Sequence, residues 1–203
     1  CRTLGCSIGS SFSSQLSIDF MKRIILAGGT GFLGTILTNH FRDKYEVVIL
    51  TRNPKSSMGS VSYLPWDGAT VGEWRHALDG AEVVINLNGK SVDCRYTEKN
   101  KALIYSTRLE STAALGEAIQ QAKVPPRLWI NASSATIYRH SLDKAMDEYT
   151  GEIGTGFSVD VCQQWEGTFN ACLVPHTRKV LIRTGIVLGN NGGPLKPLKR
   201  LAR

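Results

Sequence analysis

The sequence predicts an α/β protein built on a doubly wound parallel sheet, and three observations carry that prediction. A glycine-rich turn at residues 28–34 joins an apolar run to a segment with helical periodicity. Short apolar runs then alternate with amphipathic segments almost to the end of the chain. The 203 residues, 42% hydrophobic and 20% charged, are enough to bury one core. Strands that alternate with helices form a parallel sheet covered on both faces.

The first unit consists of a strand at residues 24–27 and a helix at residues 32–41. Ile-Ile-Leu-Ala is an uninterrupted apolar run of the kind that forms a buried strand, and in the second segment apolar residues recur at helical spacing. Gly28, Gly31 and Gly34 recur every three residues across the junction. Glycines at this spacing allow the backbone to approach a diphosphate at the N-terminus of a helix.

This turn therefore predicts a dinucleotide site, with glycines that serve only the turn as the alternative. A plain turn rarely needs three glycines in this arrangement. A Walker-type phosphate loop is excluded because no Gly-Lys-Ser/Thr follows. The predicted contact residues are Gly28, Thr30, Gly31, Phe32, Leu33 and Gly34.

The alternation continues through five more strands and three more helices. Runs rich in β-branched and other apolar residues indicate the strands, and apolar residues at a period near 3.6 indicate the helices. Residues 185–194 then predict a loop, and the basic stretch after it is long enough for one or two helical turns. The further predicted strands are residues 46–50, 61–65, 83–87, 128–132 and 179–183, and the further helices are residues 71–78, 97–123 and 157–172.

Composition narrows the classes of function. Four cations of the C-terminal tail contribute to the net charge of +7, and elsewhere basic residues are dispersed among acidic ones, which argues against a nucleic-acid partner. Five cysteines without a Cys-x-x-Cys pair and four histidines without ligand spacing indicate neither a disulfide framework nor a metal site. No run is long and apolar enough to span a membrane. We therefore expect a cytoplasmic protein that binds neither nucleic acid nor membrane.

Residues 1–20 are expected to lie outside the folded domain. They are rich in serine, begin with cysteine and lack the apolar core of a signal peptide. We interpret them as a leader or upstream segment before Met21, which looks like a natural start. Residues 21–203 then form one nucleotide-binding domain, with no second lobe expected after the loop at residues 185–194.

Arg52 stands where the second predicted strand ends. An Asp or Glu at that position hydrogen-bonds the ribose 2′-hydroxyl of NAD, whereas an Arg accommodates the 2′-phosphate of NADP. A guanidinium offers a bidentate partner that is always charged. The sequence therefore favours NADP over NAD, and a solvated surface charge is the alternative for this residue.

The motifs together resemble the extended short-chain dehydrogenase/reductases, which share a Rossmann fold. Within them, the resemblance is to the NAD(P)-dependent epimerase/dehydratase-like branch. Its members are often labelled sugar-nucleotide epimerases or SulA-like. The resemblance runs from Met21 to the C-terminus. It implies that Leu87, Asn88 and Gly89 border the cofactor ribose and that Asp67 lies near the adenine, although Asp-Gly is also a common turn pair. The motifs are Gly-Gly-Thr-Gly-Phe-Leu-Gly (28–34), Thr-Arg-Asn-Pro (51–54), Trp-Asp-Gly (66–68), Val-Ile-Asn-Leu-Asn-Gly (84–89), Arg-Tyr-Thr (95–97), Trp-Glu (165–166) and Arg-Thr-Gly-Ile-Val-Leu-Gly (183–189).

The catalytic pattern of the wider superfamily is absent from the sequence. Most members use a Tyr-x-x-x-Lys pair, whereas the corresponding positions here hold Ser158 and Cys162. By resemblance, Ser134 would hydrogen-bond a substrate oxygen at a strand end. Tyr138 would be a general acid, activated by the cofactor's positive ring and Arg139, or else would pack or contact substrate. Cys162 is expected to be a small buried hydrophobe, with a reactive thiol on its helix as the alternative.

Two functions follow from these residues. The first is an NADP-binding epimerase or oxidoreductase that moves hydride to or from a hydroxyl or carbonyl carbon of a small molecule, with a sugar nucleotide as the family's namesake substrate. The second is a non-catalytic NADP-binding sensor or interaction module, which the missing Tyr-x-x-x-Lys pair favours. We expect the C-terminal substrate lobe of extended members to be missing, and weak or no turnover as a result. A homodimer is left open.

Overall fold

The computed structural model describes residues 21–189 and 192–201, and it confirms the α/β fold. The predicted leader at residues 1–20 and the terminal Arg203 lie outside the described residues. The strands are β1 (Arg23–Ala27), β2 (Glu46–Thr51), β3 (Val61–Pro65), β4 (Val83–Asn86), β5 (Leu128–Ser134) and β6 (Arg178–Thr184). The helices are α1 (Phe32–Phe41), α2 (Glu98–Gln121), α3 (Phe157–Ala171) and α4 (Leu195–Leu201), with 3-10 turns at Glu73–Leu78 and Ala135–Ile137.

The six strands form one parallel sheet in the order β3-β2-β1-β4-β5-β6. The chain runs outward from β1 through β2 to β3, then crosses back to β4 and runs outward the other way. β1 and β4 therefore flank the point where the winding reverses. In doubly wound sheets ligands bind at this switch point, outside the carboxyl ends of the strands. The topology places the site beside the glycine turn.

Both faces of the sheet are covered, which explains the uninterrupted apolar character of the central strands. In β1, Ile25 belongs to the core on the side of α2 and α3. Its neighbours Ile24 and Leu26 belong to the core on the other face, where Leu37 of α1 packs against them. Trp129 of β5 is fully buried in the larger core.

All the predicted boundaries hold to within two residues, and two elements differ in an informative way. The helix predicted at residues 71–78 is a 3-10 turn over Glu73–Leu78. Its start is tied to the preceding loop, because the indole N–H groups of Trp66 and Trp74 both donate to the Thr70 carbonyl, at 2.9 and 3.1 Å. β5 runs two residues further than predicted, to Ser134, because its register against β6 continues to Thr184.

Among the helices of residues 21–189 and 192–201, none combines the length and hydrophobicity of a membrane span.

The first helix lies unusually close to the first turn. A Cβ built on Gly34 would overlap the backbone carbonyl of Gly29, so α1 and the turn approach at a distance that only glycine permits. Gly29 in turn faces Ile49 of β2, where a Cβ would lie 3.0 Å from a side-chain carbon. These contacts set the position of the N-terminus of α1 over the carboxyl end of β1.

We expect Gly34→Ala to lower the free energy of unfolding by about 3 kcal/mol or more, because backbone must move to admit the methyl group. Chemical denaturation monitored by circular dichroism measures the change. The matched control is Gly167→Ala in α3, where a Cβ meets nothing within 4 Å. That control should stabilise the helix by about 0.5–1 kcal/mol. Equal effects of the two substitutions would contradict the close contact.

Candidate functional site

The glycine turn leads from the carboxyl end of β1 into α1. Gly28 has a φ of +76°, in the left-handed region where other residues are strained. The first hydrogen bond of α1 runs from the Thr35 amide to the Gly31 carbonyl, at 2.9 Å. The three amides between Gly31 and Thr35 have no acceptor within the helix, and no side chain of the described residues caps them. They are available to donate to an anion.

The other predicted residues of the turn have distinct surroundings. Thr30 is exposed beside the turn. Leu33 is half-buried. The ring of Phe32 packs against the segment that follows β6, where a Cβ on Gly189 would lie 2.6 Å from a ring carbon. The sequence motif did not indicate this contact.

Asn88 closes the turn from the side of β4. A Cβ on Gly28 would lie 2.6 Å from Asn88 Oδ1, so the glycine is required by a neighbour as well as by its φ. The backbone N–H of Asn88 donates to Asn86 Oδ1 at 3.1 Å. Asn88 Nδ2 is buried and, across the described residues, lacks a hydrogen-bond partner. A buried donor of this kind usually donates to an acceptor on a ligand or to a water molecule.

A buried polar network holds Asn86 in place. Asn86 Nδ2 donates to Asn131 Oδ1 at 2.7 Å and to Thr112 Oγ1 at 3.2 Å. Trp165 Nε1 also donates to Thr112 Oγ1, at 2.9 Å. The network links β4, β5, α2 and α3 at the point where the loop after β4 begins. Asn86 thus lies at the end of β4 and positions Asn88.

A cleft of about 410 Å³ beside the switch point brings together four of the predicted cofactor residues. They are Arg52, Asp67, Asn88 and Gly89. Leu87 packs against the apolar core on the α1 face instead. Its amide donates to the Ala27 carbonyl at 2.9 Å and so ties β4 to β1 beside the cleft.

The carboxylate of Asp67 is engaged in its own turn. It accepts from the Ala69 amide at 2.8 Å, from the Thr70 amide at 2.9 Å and from the Thr70 hydroxyl at 2.6 Å. The Thr70 hydroxyl and these amides lower the pKa of Asp67. Asp67 therefore closes an Asp-Gly turn and also lines the cleft, while its place near the adenine stays a prediction.

These groups fit a dinucleotide. The open helix start supplies donors for a diphosphate, and the buried Asn88 Nδ2 supplies an unused donor beside it. Arg52 supplies a cation at the end of β2. Glycines at positions 28 and 34 let the backbone elements come together around that space.

The predicted catalytic residues lie beyond the end of β5. The Ser134 hydroxyl accepts from the Thr136 amide at 3.2 Å and from the Thr136 hydroxyl at 2.9 Å. Tyr138 lines a second cavity, of about 820 Å³, together with Arg183. This cavity and the cleft that contains Arg52 share no lining residue, and Ser134 lines neither.

The cation beside the Tyr138 hydroxyl is Arg183, whereas the sequence pointed to Arg139. Arg183 Nη1 donates to Tyr138 Oη at 2.8 Å, and its guanidinium lies 5.1 Å from the centre of the Tyr138 ring. Arg139 is engaged elsewhere, with Glu152 at 2.6 Å and Asp143 at 3.3 Å. The expectation about Arg139 is corrected because local acidic groups draw its guanidinium away.

Arg183 is itself held by Glu166 of α3. The pair is bidentate, with Nε to Oε1 at 2.9 Å and Nη2 to Oε2 at 2.7 Å, and Ser133 donates to Oε1 at 2.5 Å. Burial alone would raise the pKa of Glu166, but the bonds from Arg183 and Ser133 outweigh it and hold that pKa below its ordinary value. The hydrogen bonds to Glu166, together with the bond to Tyr138, raise the pKa of Arg183.

The sequence motifs include two residues of this cluster but do not predict that they contact each other. The Trp-Glu and Arg-Thr-Gly motifs marked Glu166 and Arg183 as family positions, and Ser133 was passed over for Ser134. In β5 alternate residues are buried, which puts Ser133 on the side of α3 and Ser134 on the other. The alternation of burial along β5 is the sequence signal that could have identified Ser133 as the inward-facing serine.

By the family resemblance, Ser158 and Cys162 stand where most members of the superfamily have the Tyr-x-x-x-Lys pair. Cys162 is buried, with its Sγ 3.6 Å from Thr136 Oγ1. Burial raises the pKa of its thiol, which opposes thiolate formation. Ser158 is exposed in the first turn of α3. Cys162 therefore packs as the small hydrophobe that the sequence predicted.

The strand order, the glycine turn and the cleft at the switch point define an α/β protein of the class that binds dinucleotides. The comparison with protein families makes the assignment specific. The chain belongs to the NAD dependent epimerase/dehydratase family, whose model matches residues 24–156.

Individual relatives agree with this assignment. An epimerase family protein of Staphylococcus saprophyticus is 33% identical over 181 residues, which cover 88% of this chain and 60% of that protein. A human epimerase family protein crystallised with NADPH is 29% identical, with a TM-score of 0.75 over 88% of this chain and 58% of the other. The chain thus spans about 60% of the length of these relatives.

A more distant structure shares the fold. UDP-glucuronic acid 4-epimerase from Bacillus cereus, in complex with UDP-glucuronic acid and NAD, is 18% identical, with a TM-score of 0.68. The alignment covers 85% of this chain and 59% of the other. Of these two similar structures, one contains NADPH and the other contains NAD.

We expect Glu166→Gln to destabilise the protein by about 3 kcal/mol at pH 7, because it leaves the guanidinium of Arg183 without its counter-charge. The folded-state pKa of Glu166 lies below its ordinary value of 4.5, so the pairing contributes fully above that pH and is lost as pH falls through the folded-state pKa. The difference from wild type should therefore begin to shrink once the pH falls below 4.5. Thermal unfolding between pH 3 and 7 measures it.

The matched control is Glu98→Gln, since Glu98 is 89% exposed and pairs with Lys101 on the surface. Its effect should stay below about 1 kcal/mol at every pH. A difference between wild type and Glu166→Gln that does not change with pH would contradict the assigned ion pair.

Proposed function

We propose that the chain binds NADP at the glycine turn and serves an NADP-dependent oxidoreductase or epimerase acting on a hydroxyl or carbonyl carbon. The observation that carries the proposal is the cleft at the switch point, which combines Arg52, Asn88 and Gly89 beside an uncapped helix N-terminus. When bound, the nicotinamide ring supplies or accepts the hydride. The residues of the chain bind and orient it and handle the proton.

The preference for NADP rests on Arg52. It follows directly after β2, the position from which a residue reaches the adenosine ribose in this fold. A 2′-phosphate there would gain a charge-assisted, bidentate contact. The human relative crystallised with NADPH supports the same choice, while the Bacillus cereus structure with NAD shows that the fold accepts either nucleotide.

The hydrogen bonds of Tyr138 support a role in proton transfer. Arg183 has only donors, so Tyr138 Oη must act as the acceptor in their bond. Across the described residues, no acceptor takes the hydroxyl proton of Tyr138, which lines the cavity beside Arg183. Tyr138 can therefore donate to a carbonyl oxygen of a substrate, and Arg183 can stabilise the phenolate left behind. In the reverse direction the phenolate takes the proton of an alcohol.

Ser134 is proposed to hydrogen-bond a carbonyl or hydroxyl oxygen of the substrate at the end of β5. Its Oγ already accepts two bonds from Thr136, so its own proton is the part available to a ligand. The substrate class is proposed from the relatives, among which the Bacillus cereus structure holds a sugar nucleotide. A small molecule of this kind carries hydroxyl groups that hydride transfer can oxidise.

A non-catalytic NADP-binding module is the second candidate. It is favoured by Cys162, a buried thiol with a raised pKa at the position where the superfamily has its catalytic lysine. The glycine turn and Arg52 serve both functions equally. Nucleotide binding is therefore tested first, and turnover second.

NADPH should raise the melting temperature of the purified protein more than NADH does at equal concentration, because only NADPH carries the 2′-phosphate. Arg52→Ala should lower NADPH affinity about tenfold to a hundredfold and leave NADH affinity nearly unchanged, since it removes one charge-assisted contact. Differential scanning fluorimetry and isothermal titration calorimetry measure the two effects.

Arg178→Ala is the matched control, because Arg178 is exposed at the amino end of β6, at the opposite edge of the sheet. It should leave both affinities unchanged. Equal shifts with NADPH and NADH in wild type would remove the preference for NADP. No shift with either nucleotide, and no nucleotide copurified and detectable by mass spectrometry, would remove the proposed cofactor site altogether.

Tyr138→Phe should lower kcat by about 10²–10⁴-fold while leaving NADPH affinity unchanged, because it removes only the proton donor. The assay follows NADPH oxidation with a carbonyl substrate found by screening. Tyr149→Phe is the control, since Tyr149 is 89% exposed. Undiminished turnover in Tyr138→Phe would end the candidacy of this residue as the acid.

A further inference from the structure

Arg108 of α2 is a largely buried cation beside the cofactor cleft. Across residues 21–189 and 192–201 no carboxylate forms an ion pair with it, and burial lowers the pKa of its guanidinium, an effect that the nearby Cys162 and Tyr96 partly oppose. Buried cations are normally paired or hydrogen-bonded, so the position of this one calls for a reason.

The guanidinium is satisfied by backbone and by an aromatic face. Nη1 donates to the Lys90 carbonyl at 3.1 Å and to the Ile104 carbonyl at 3.0 Å. The group also lies 5.1 Å from the centre of the Trp165 ring. These contacts hold its plane in one orientation between α2, α3 and the loop after β4.

The loop after β4 is held by two neighbouring side chains of α2. The Lys90 amide donates to Thr107 Oγ1 at 2.9 Å, and the Lys90 carbonyl accepts from Arg108. The backbone N–H and the backbone carbonyl of Lys90 are therefore both held by side chains of α2. Residues Asn88 and Gly89, which line the cleft, immediately precede this anchored residue.

Gly89 lies against the same guanidinium. A Cβ built on Gly89 would be 3.0 Å from Arg108 Cζ and 3.2 Å from both Nη atoms. The φ of Gly89 is outside the left-handed region, so its backbone does not itself require glycine. A methyl group at residue 89 would press on the guanidinium of Arg108, which would have to shift by a few tenths of an ångström to admit it.

We propose that Arg108 is a positioning residue for the nucleotide, whose guanidinium fixes the loop of residues 88–90 in the cleft, and that Gly89 is glycine in order to admit it. The proposal rests on the proposed NADP site, because it gives this loop a ligand to receive. It assigns to Gly89 a role different from the one implied by the family resemblance. A contact with the ribose would make Gly89 important whatever stands at residue 108.

A double-mutant cycle in the full chain tests this assignment. Arg108→Ala should weaken NADPH binding at least tenfold, since the loop loses its anchor. Gly89→Ala should weaken it by a similar factor in the wild-type background. In the Gly89→Ala/Arg108→Ala double variant, the alanine at residue 89 should add less than a twofold loss, because the group it would displace is gone. Gly167→Ala is the control for a methyl group in open space and should change nothing.

Arg108→Lys is the second variant, in case removal of the side chain prevents folding. An ammonium can still donate to the Lys90 carbonyl but lacks the broad plane that presses on Gly89. It should retain NADPH affinity within about threefold and should reduce the loss caused by Gly89→Ala. Melting temperatures without nucleotide identify any variant that is simply unfolded.

Amide hydrogen exchange at Lys90 gives a readout that needs no nucleotide. In the nucleotide-free protein, Arg108→Ala should speed exchange of this amide at least tenfold, while amides of β1 stay protected. Faster exchange with no NADPH binding in wild type would uphold the anchoring and remove the proposed function. Unchanged exchange at Lys90, or losses from the two single variants that multiply in the double variant, would overturn the inference.

Discussion

The close approach of α1 to the first glycine turn is the constraint on which the rest of the site depends. Because the position of Gly34 has room for no side chain, the helix begins directly above the carboxyl end of β1. Its uncapped amides then face the point where the winding of the sheet reverses. The proposed diphosphate site is thus a consequence of how tightly the first strand and helix pack, and only glycine allows that packing.

Around this turn, two buried polar clusters fix the loops that follow the central strands. The network of Asn86, Thr112 and Asn131 sets the start of the loop after β4. The pair of Glu166 and Arg183 does the same beyond β5, where it reaches Tyr138. Polar groups are costly in a core unless each is satisfied, and satisfied networks specify one arrangement. The loops after β4 and β5, which line the cleft and the cavity, are therefore held in place by buried hydrogen bonds.

Two arginines beside the proposed site, Arg108 and Arg183, lie on elements that are distant in sequence from the residues they contact. The superfamily pattern puts its lysine one helical turn from its tyrosine, whereas here Arg183 reaches Tyr138 from β6 and Arg108 reaches the cleft from α2. Cys162, at the lysine position, packs into the core. If the chain is an enzyme, its acid and its cation are assembled by tertiary structure. If it is a sensor, the same residues hold the cofactor loops in place.

The sequence alone determined the order of strands and helices, the glycine turn and the position of Arg52, because each depends on neighbouring residues and on periodicity. It also marked Asp67, Asn88 and Gly89 through family motifs. Only the tertiary structure decided which side chains meet. The bond from Arg108 to Lys90 joins residues 18 apart and that from Arg183 to Tyr138 joins residues 45 apart. Contacts at such separations leave no local pattern, since they arise when the sheet brings its loops to one edge.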